Sequence, residues 1–544
     1  MMKKYKIFIA VLTVLSFGSC MKSEEADLVV FNANIYTMDE SNSVAEAMAI
    51  RDGKILESGP DRQILNKYAY AASIDAEGKQ VYPGFIDAHG HLMSYAELLL
   101  SADLVGCTSQ EDMVKRVKDY QSKSNKPVLV GMGWDQSLWV QNEFPDNVLL
   151  NKAFPNTPVC LYRIDGHSAL LNNAFIKLLG EFDVPNGGAV LKNTSGEYTG
   201  LFVDAALQLI EDLIPKFSNA EMKTKLIEVQ EELFTYGVTG VHEAGVDANQ
   251  RDLLIEMINN KSLSLNVYAM LSPSEANKEF AKNNGVYTNK NLLIRSFKAY
   301  VDGALGSRGA LLKEPYHDHP NYKGLSLSSM EELETLRDFC LSVDYQLNCH
   351  GIGDAAVSRI LRMCKEAYQR KPDHRFRVEH AQLVDLAEFK LFTDYAVFPS
   401  VQPTHATTDQ RWAASKIGPD RMQGAYAYKS LLNSFGMIAL GTDFPVEYTN
   451  PFYTIHSAVH RKTPKDYPEK GFLSNEALTI EETLRGMTIW AAFASFQENQ
   501  LGSLEQGKDA TFVVLDRPLN KKPVFKQNYA WKTCIKGEIV HSLE

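Results

Sequence analysis

Cysteine is scarce in this chain, seven in 544 residues. Six of them, Cys107, Cys160, Cys340, Cys349, Cys364 and Cys534, stand apart with no close pairs, which excludes a disulfide-built scaffold. Clustered positive charge is missing too. The 56 Lys and Arg residues are scattered among 67 Asp and Glu, for a formal net charge of −11. Phosphate backbones need grouped cations, so nucleic acid is excluded as a partner. Nor is there a long hydrophobic run: the apolar stretch from Ile7 to Phe17 is too short to persist as a bilayer-spanning helix. What remains, 45% hydrophobic and 23% charged residues, is the balance of a globular protein with a large core.

That short stretch reads as an export signal. Lys3, Lys4 and Lys6 precede it, and Gly18-Ser19-Cys20 follows. Small residues before a cysteine resemble a bacterial lipoprotein cleavage site, so residues 1–20 are read as a lipoprotein signal peptide with Cys20 as the lipidated residue. Phe17 stands where such sites more often carry Leu, and plain secretion with cleavage near Ser19 is the alternative. Lys22-Ser23-Glu24-Glu25 then reads as a tether. The expectation is an exported protein anchored through Cys20, facing the periplasm or displayed at the cell surface. A homodimer is compatible with this reading.

Short strands joined by turns fill both ends of the mature chain. Leu28-Val29-Val30-Phe31, Ile35-Tyr36-Thr37-Met38 and Ala47-Met48-Ala49-Ile50 lie near the start, and Phe512-Val513-Val514-Leu515 with Thr533-Cys534-Ile535 near the end. Neither block has enough strand for a stable sheet of its own. Residues 21–83 and 497–544 are therefore expected to combine into one small β-sandwich domain. Between them, residues 84–496 alternate apolar strands with amphipathic helices. The predicted strands are Phe85–His89, Val238–His242, Leu265–Met270, Leu293–Val301, Gln346–His350, Phe376–His380, Ala396–Val401 and Met437–Gly441. Eight β-then-α units in series predict an α/β fold, a (β/α)8 TIM barrel. Residues 104–230 exceed one such unit and read as an insertion after the first strand.

Barrel enzymes place working residues at the C-terminal ends of their strands. The first strand ends in His89-Gly90-His91. Residues two apart on an extended backbone point the same way, so both imidazoles aim at one spot where a divalent cation fits. A second pair, His317-Asp318-His319, sits in a polar, proline-bearing loop and reads as no catalytic ligand. Later strand ends supply His350, His380 and Asp443. Four imidazoles and a carboxylate suit zinc, or another borderline transition metal, better than calcium or magnesium. Lys298 lies mid-strand in an apolar run, where a free ammonium is costly. Two readings stay open for it: a desolvated amine that takes up carbon dioxide to become a carbamate ligand, or a lysine paired with Asp302 or Glu243.

These residues resemble the amidohydrolase superfamily, with its strand-one His-x-His, strand-four Lys, His on strands five and six, and Asp on strand eight. Gly131-Met132-Gly133-Trp134-Asp135, Asp165-Gly166-His167, His350-Gly351-Ile352-Gly353-Asp354, Val401-Gln402-Pro403-Thr404-His405 and Thr442-Asp443-Phe444-Pro445 are similar to the amidohydrolase-3 branch, which contains N-substituted formamide deformylase. The resemblance implies one or two zinc ions on His89, His91, Lys298, His350, His380 and Asp443, with Lys298 carbamylated in the two-metal case. Asp443 would move the proton from the attacking water to the leaving nitrogen, with His380 or His350 completing the metal sphere. His167, His405 and Arg308 are candidate donors to the carbonyl oxygen. Trp134 and Asp135, with Arg308 and His405, are the candidate substrate contacts, and Trp139, Trp412 and Tyr300 are further candidates for an apolar pocket. The implied substrate is a small amide, an N-substituted formamide or N-acyl amine. An ester or lactone hydrolase, an isomerase, and a binding lipoprotein without turnover are the alternatives.

Overall fold

The computed structural model describes residues 24–141, 143–519 and 528–543, so the leader and Cys20 lie outside the described residues. Eight strands form one parallel sheet in chain order: Phe85–Gly90, Val238–Val246, Asn266–Leu271, Leu292–Tyr300, Gln346–Gly351, Arg377–His380, Phe398–Val401 and Ala439–Leu440. Each pairs in parallel with the next. The ring is drawn together between last and first. Asp443 N donates to His89 O at 2.7 Å, and Thr442 donates to Asp87 through N at 3.0 Å and Oγ1 at 2.7 Å. Gly441 permits this approach, since a Cβ there would meet His89 N at 2.5 Å. The predicted α/β barrel is therefore present, each strand within a few residues of its expected bounds.

Its helices follow from sequence. Asp354–Arg370 buries Val357, Ile360, Leu361 and Cys364, a stripe of helical period facing the sheet. Asn219–Thr235, Ala248–Asn259 and Met330–Ser342 each begin with a capping box, Ser218/Glu221, Asp247/Gln250 and Ser329/Glu332.

The two ends of the chain do combine. Phe512–Leu515 runs antiparallel to Gln80–Pro83, which runs parallel to Asn34–Tyr36. A second sheet orders Lys54–Gly59, Ala47–Arg51, Glu24–Phe31 and Tyr68–Asp75. Leu28, Val30, Ile50 and Ile74 from one sheet and Ile35, Val81, Phe512 and Val514 from the other share one core. This is a β-sandwich built from both termini.

Between the first and second barrel strands stands a separate six-stranded sheet, running from Ala102–Asp103 to Tyr198–Asp204, with its own apolar cores. The helix Asn219–Thr235 follows it and packs beside Leu92–Leu99 before the second barrel strand. Cys107, Cys160, Cys340, Cys349, Cys364 and Cys534 are free and buried. Among the described residues no helix is long and apolar enough to cross a membrane.

Candidate metal centre

The barrel mouth gathers the histidines. His89 ends the first strand, and His91 stands just beyond it, heading the helix Leu92–Leu99. Their rings lie 5.5 Å apart, and their Nε2 atoms are 3.6 and 3.0 Å from one oxygen, Oδ1 of Asp443. His380 Nδ1 is held by Gln402 Oε1 at 2.8 Å, and the His380 ring lies 4.8 Å from that of His89 and 4.4 Å from that of His350. Two donor groups able to hold a metal emerge, His89-His91-Asp443 and His380-His405-Asp443, with the donor atoms in each all within 4.8 Å of one another. Asp443 belongs to both. His405, a candidate substrate contact by sequence, thus joins a ligand group, its Nε2 3.2 Å from Asp443 Oδ2 and its Nδ1 3.4 Å from Glu447.

Lys298 is in the centre. Its Nζ lies 2.9 Å from His89 Nε2, so pairing with Asp302 or Glu243 is not what holds it. Asp302 instead accepts backbone N–H groups of Leu311, Ile352 and Gly353, and Glu243 accepts those of Leu92 and Met93 at the start of a helix. Burial pushes the Lys298 ammonium down to about 8. It likewise disfavours charge on His350 and His380, and lowers His89 to about 4 with the help of Lys298. Burial alone would raise Asp443, but hydrogen bonds from His405 and His91 keep it well below the ordinary carboxylate range. Neutral His89, His350 and His380 beside an anionic Asp443 are the protonation states a metal requires. His405 differs, since against burial its hydrogen bonds to Asp443 and Glu447 raise it to about 10, and it would have to lose that proton to act as a ligand.

A metal fits these residues. His350 Nε2 is buried and engages no hydrogen bond among the described residues, a costly condition that a cation would relieve. Behind the donors lies an orienting layer. Glu379 Oε2 sits 2.6 Å from His89 Nδ1, and Arg377 Nε lies 2.7 Å from Glu379 Oε1. Such a carboxylate fixes the tautomer and direction of a ligand imidazole. The backbone is forced here as well: His380 has φ +73° and Asp443 φ +63°, conformations uncommon outside glycine.

The centre is the floor of a cleft of about 730 Å³. The inserted sheet overhangs it through His167, whose Nδ1 is 2.7 Å from Asp204 and whose ring is 5.2 Å from that of His350. Asp135, Tyr300 and Trp412 also line the cleft. Trp134 does not. It is fully buried in the core of the inserted lobe and donates Nε1–H to Leu161 O at 2.7 Å, and Trp139 likewise donates to Cys107 O. Trp134, a candidate substrate contact by sequence, stands between Gly133 and Asp135, and its strand turns it inward. Arg308 is paired with Asp318 at 2.9 Å and lines a neighbouring cavity. Glu379, Arg377, Gln402 and Asp204 have orienting roles that sequence reading did not assign. Glu379 carried a signal, a charged residue inside the apolar strand that ends at His380.

A parallel eight-stranded barrel with histidines and an aspartate converging at its mouth defines a metal-dependent hydrolase. The chain belongs to the amidohydrolase family, whose pattern it matches over residues 72–541. It is 33% identical to protein LONG AFTER FAR-RED 3 of Arabidopsis thaliana, over 90% of this chain and 87% of that one. It is 26% identical to the N-substituted formamide deformylase of Arthrobacter pascens, over 90% and 93%. A metal-dependent hydrolase of Pyrococcus horikoshii superposes with a TM-score of 0.72 at 26% identity, over 90% of this chain and 97% of that one. The protein is thus an enzyme, a metal-dependent amidohydrolase.

Proposed function

We propose that the enzyme hydrolyses a non-peptide amide-type C–N bond, in an N-substituted formamide or an N-acyl amine, using one or two zinc ions. The observation that carries this reading is Asp443, shared by two histidine groups at the floor of a roomy cleft. His89, His91, His350, His380 and Asp443 would hold metal, with His405 close enough to join them. When bound, the metal lowers the pKa of a water toward ~7 and polarises the scissile carbonyl.

The chain's own residues do the rest. Asp443, held anionic by His91 and His405, takes a proton from the attacking water and delivers it to the leaving nitrogen. Nδ1–H of His167 donates to Asp204, and against burial that carboxylate raises the imidazole's pKa, so the imidazolium has an Nε2–H to donate to the carbonyl oxygen as charge builds there. Tyr300 and Trp412 give the cleft apolar walls. Carbamylation of Lys298 would supply an anionic ligand beside His89. Its burial supports this, since a depressed ammonium leaves more free amine. The leader pattern around Cys20 supports export and lipid anchoring.

Rates on an N-formylamine, an N-acyl amino acid and a lactone of similar size, measured with zinc-loaded enzyme, test the proposal. Turnover of the nitrogen compounds should exceed that of the lactone, and the reverse order refutes it.

A further inference from the structure

Beside the metal-bearing cleft lies a smaller cavity of about 290 Å³ that the mechanism leaves unused. Arg163, Gly306 and Trp412 line both spaces, so the two adjoin there. Gly306 stands at the junction, where a Cβ would already be in contact, 3.4 Å from Arg163 Nη1, Arg163 Nη2 and Trp412 Cζ2.

Beyond that point the walls are cationic. Arg308 donates to Asp318 through Nη2 at 2.9 Å and Nε at 3.2 Å, and Lys416 Nζ lies 3.0 Å from the same carboxylate. Two cations on one anion leave one positive charge unmatched. Arg163 does not change this sum. It pairs with Asp135 at 2.9 Å and Asp165 at 2.5 Å, and Arg411 takes the second oxygen of Asp135 at 2.9 Å. Glu143, the other acidic lining residue, is exposed at the rim, where water screens it. Lys416, in contrast, is only 9% exposed. Burial and the adjacent Arg308 charge lower its pKa, as expected where negative charge is short.

We propose that this annex is a carboxylate-binding subsite, and that the substrates are amide-type compounds whose arm lies along Trp412 and ends in a carboxylate held by Arg308 and Lys416. The cleaved bond rests on the reading above; the anion site stands on its own geometry. Among the described residues no hydrogen bond engages Nη1 of Arg308, so the guanidinium keeps donors for a second carboxylate. Arg308 is also held at φ +62°, in a turn where its N donates to Leu305 O at 3.1 Å.

The test uses two matched pairs with metal-loaded enzyme. The substrates are 4-(formamidomethyl)benzoate and its uncharged primary carboxamide, and the binding probes are 4-(aminomethyl)benzoate and 4-(aminomethyl)benzamide, measured by calorimetry. The acid should be preferred at least tenfold in both kcat/KM and Kd. Arg308→Met and Lys416→Met should each cut that preference about tenfold, because either remaining cation still neutralises Asp318 but leaves no excess charge. Gly306→Leu, which keeps every charge and plugs the junction, should abolish the preference, and circular dichroism checks folding. Hydrolysis of neither formamide, with the acid still bound preferentially, removes the amide reading and leaves the subsite intact. Equal binding of acid and amide by the wild type, or a preference unchanged in all three variants, overturns the subsite.

Discussion

The barrel mouth and the terminal β-sandwich are made of the same short apolar strands, yet they treat burial in opposite ways. In the sandwich, Leu28, Val30, Ile50, Val81, Phe512 and Val514 turn inward and are at most 7% exposed, the alternation of a half-buried sheet. At the mouth, Lys298, Glu379, Asp443 and Asp87 are equally buried, and His380 and Asp443 occupy strained backbone. Each such residue costs of order 1–3 kcal/mol and persists only where its surroundings enforce it. The contrast separates two jobs: the sandwich supplies stability, while the mouth spends it to hold charges in place.

The sharpest way to break this comparison is to exchange the roles. Asp443→Asn keeps shape and removes the proton carrier, so kcat should fall about 10³-fold while the unfolding midpoint holds or rises. An unfolding midpoint several degrees lower, with activity retained, would show that the mouth is structural. Phe512→Ala empties a fully buried site between the sandwich sheets. It should cost about 3–5 kcal/mol in urea unfolding and leave kcat within about twofold.

How much of this was legible in sequence follows the same division. Apolar alternation and period gave the strands and helices closely, because burial writes itself into every second or every third and fourth residue. That His89, His91, Lys298, His350, His380 and Asp443 gather at one mouth was legible because each ends or interrupts an apolar run. Trp134 was misplaced because an aromatic reads the same in a wall and in a core, and only its strand's register decides. The orienting pair Glu379–Arg377 went unassigned since its partner, His89, is 290 residues away from Glu379, and long-range contacts leave no local period. Cys20 and its leader lie outside the described residues.

A smaller effect probes the layer between the two regimes. Glu379→Gln retains size and an acceptor but removes the charge facing His89 and Arg377. Zinc affinity should drop about 10–100-fold, read by chelator competition at constant pH. Unchanged affinity would mean that the His89 ring is fixed by packing alone.

The subtlest difference is in how each region's stability responds to pH. Asp409 lines the cleft and is buried, its Oδ2 accepting from Gln382 Nε2 at 2.6 Å and Tyr426 OH at 3.0 Å. Burial raises its carboxyl to about 7, against the opposing charge of His405. The folded state therefore holds a proton between about pH 4 and pH 7 that the unfolded chain has already released. Folded protein binds more protons in that window, so the stability from this group is complete below about pH 4 and is lost as pH rises through 7. Asp409→Asn accepts the same two hydrogen bonds and cannot titrate. The wild type should lose more unfolding free energy between pH 5 and pH 8 than this variant does, whereas Phe512→Ala should lower the whole profile without changing its slope. Parallel profiles for wild type and Asp409→Asn would show that the carboxylate is charged throughout, and that the cleft tolerates another buried anion beside Asp443.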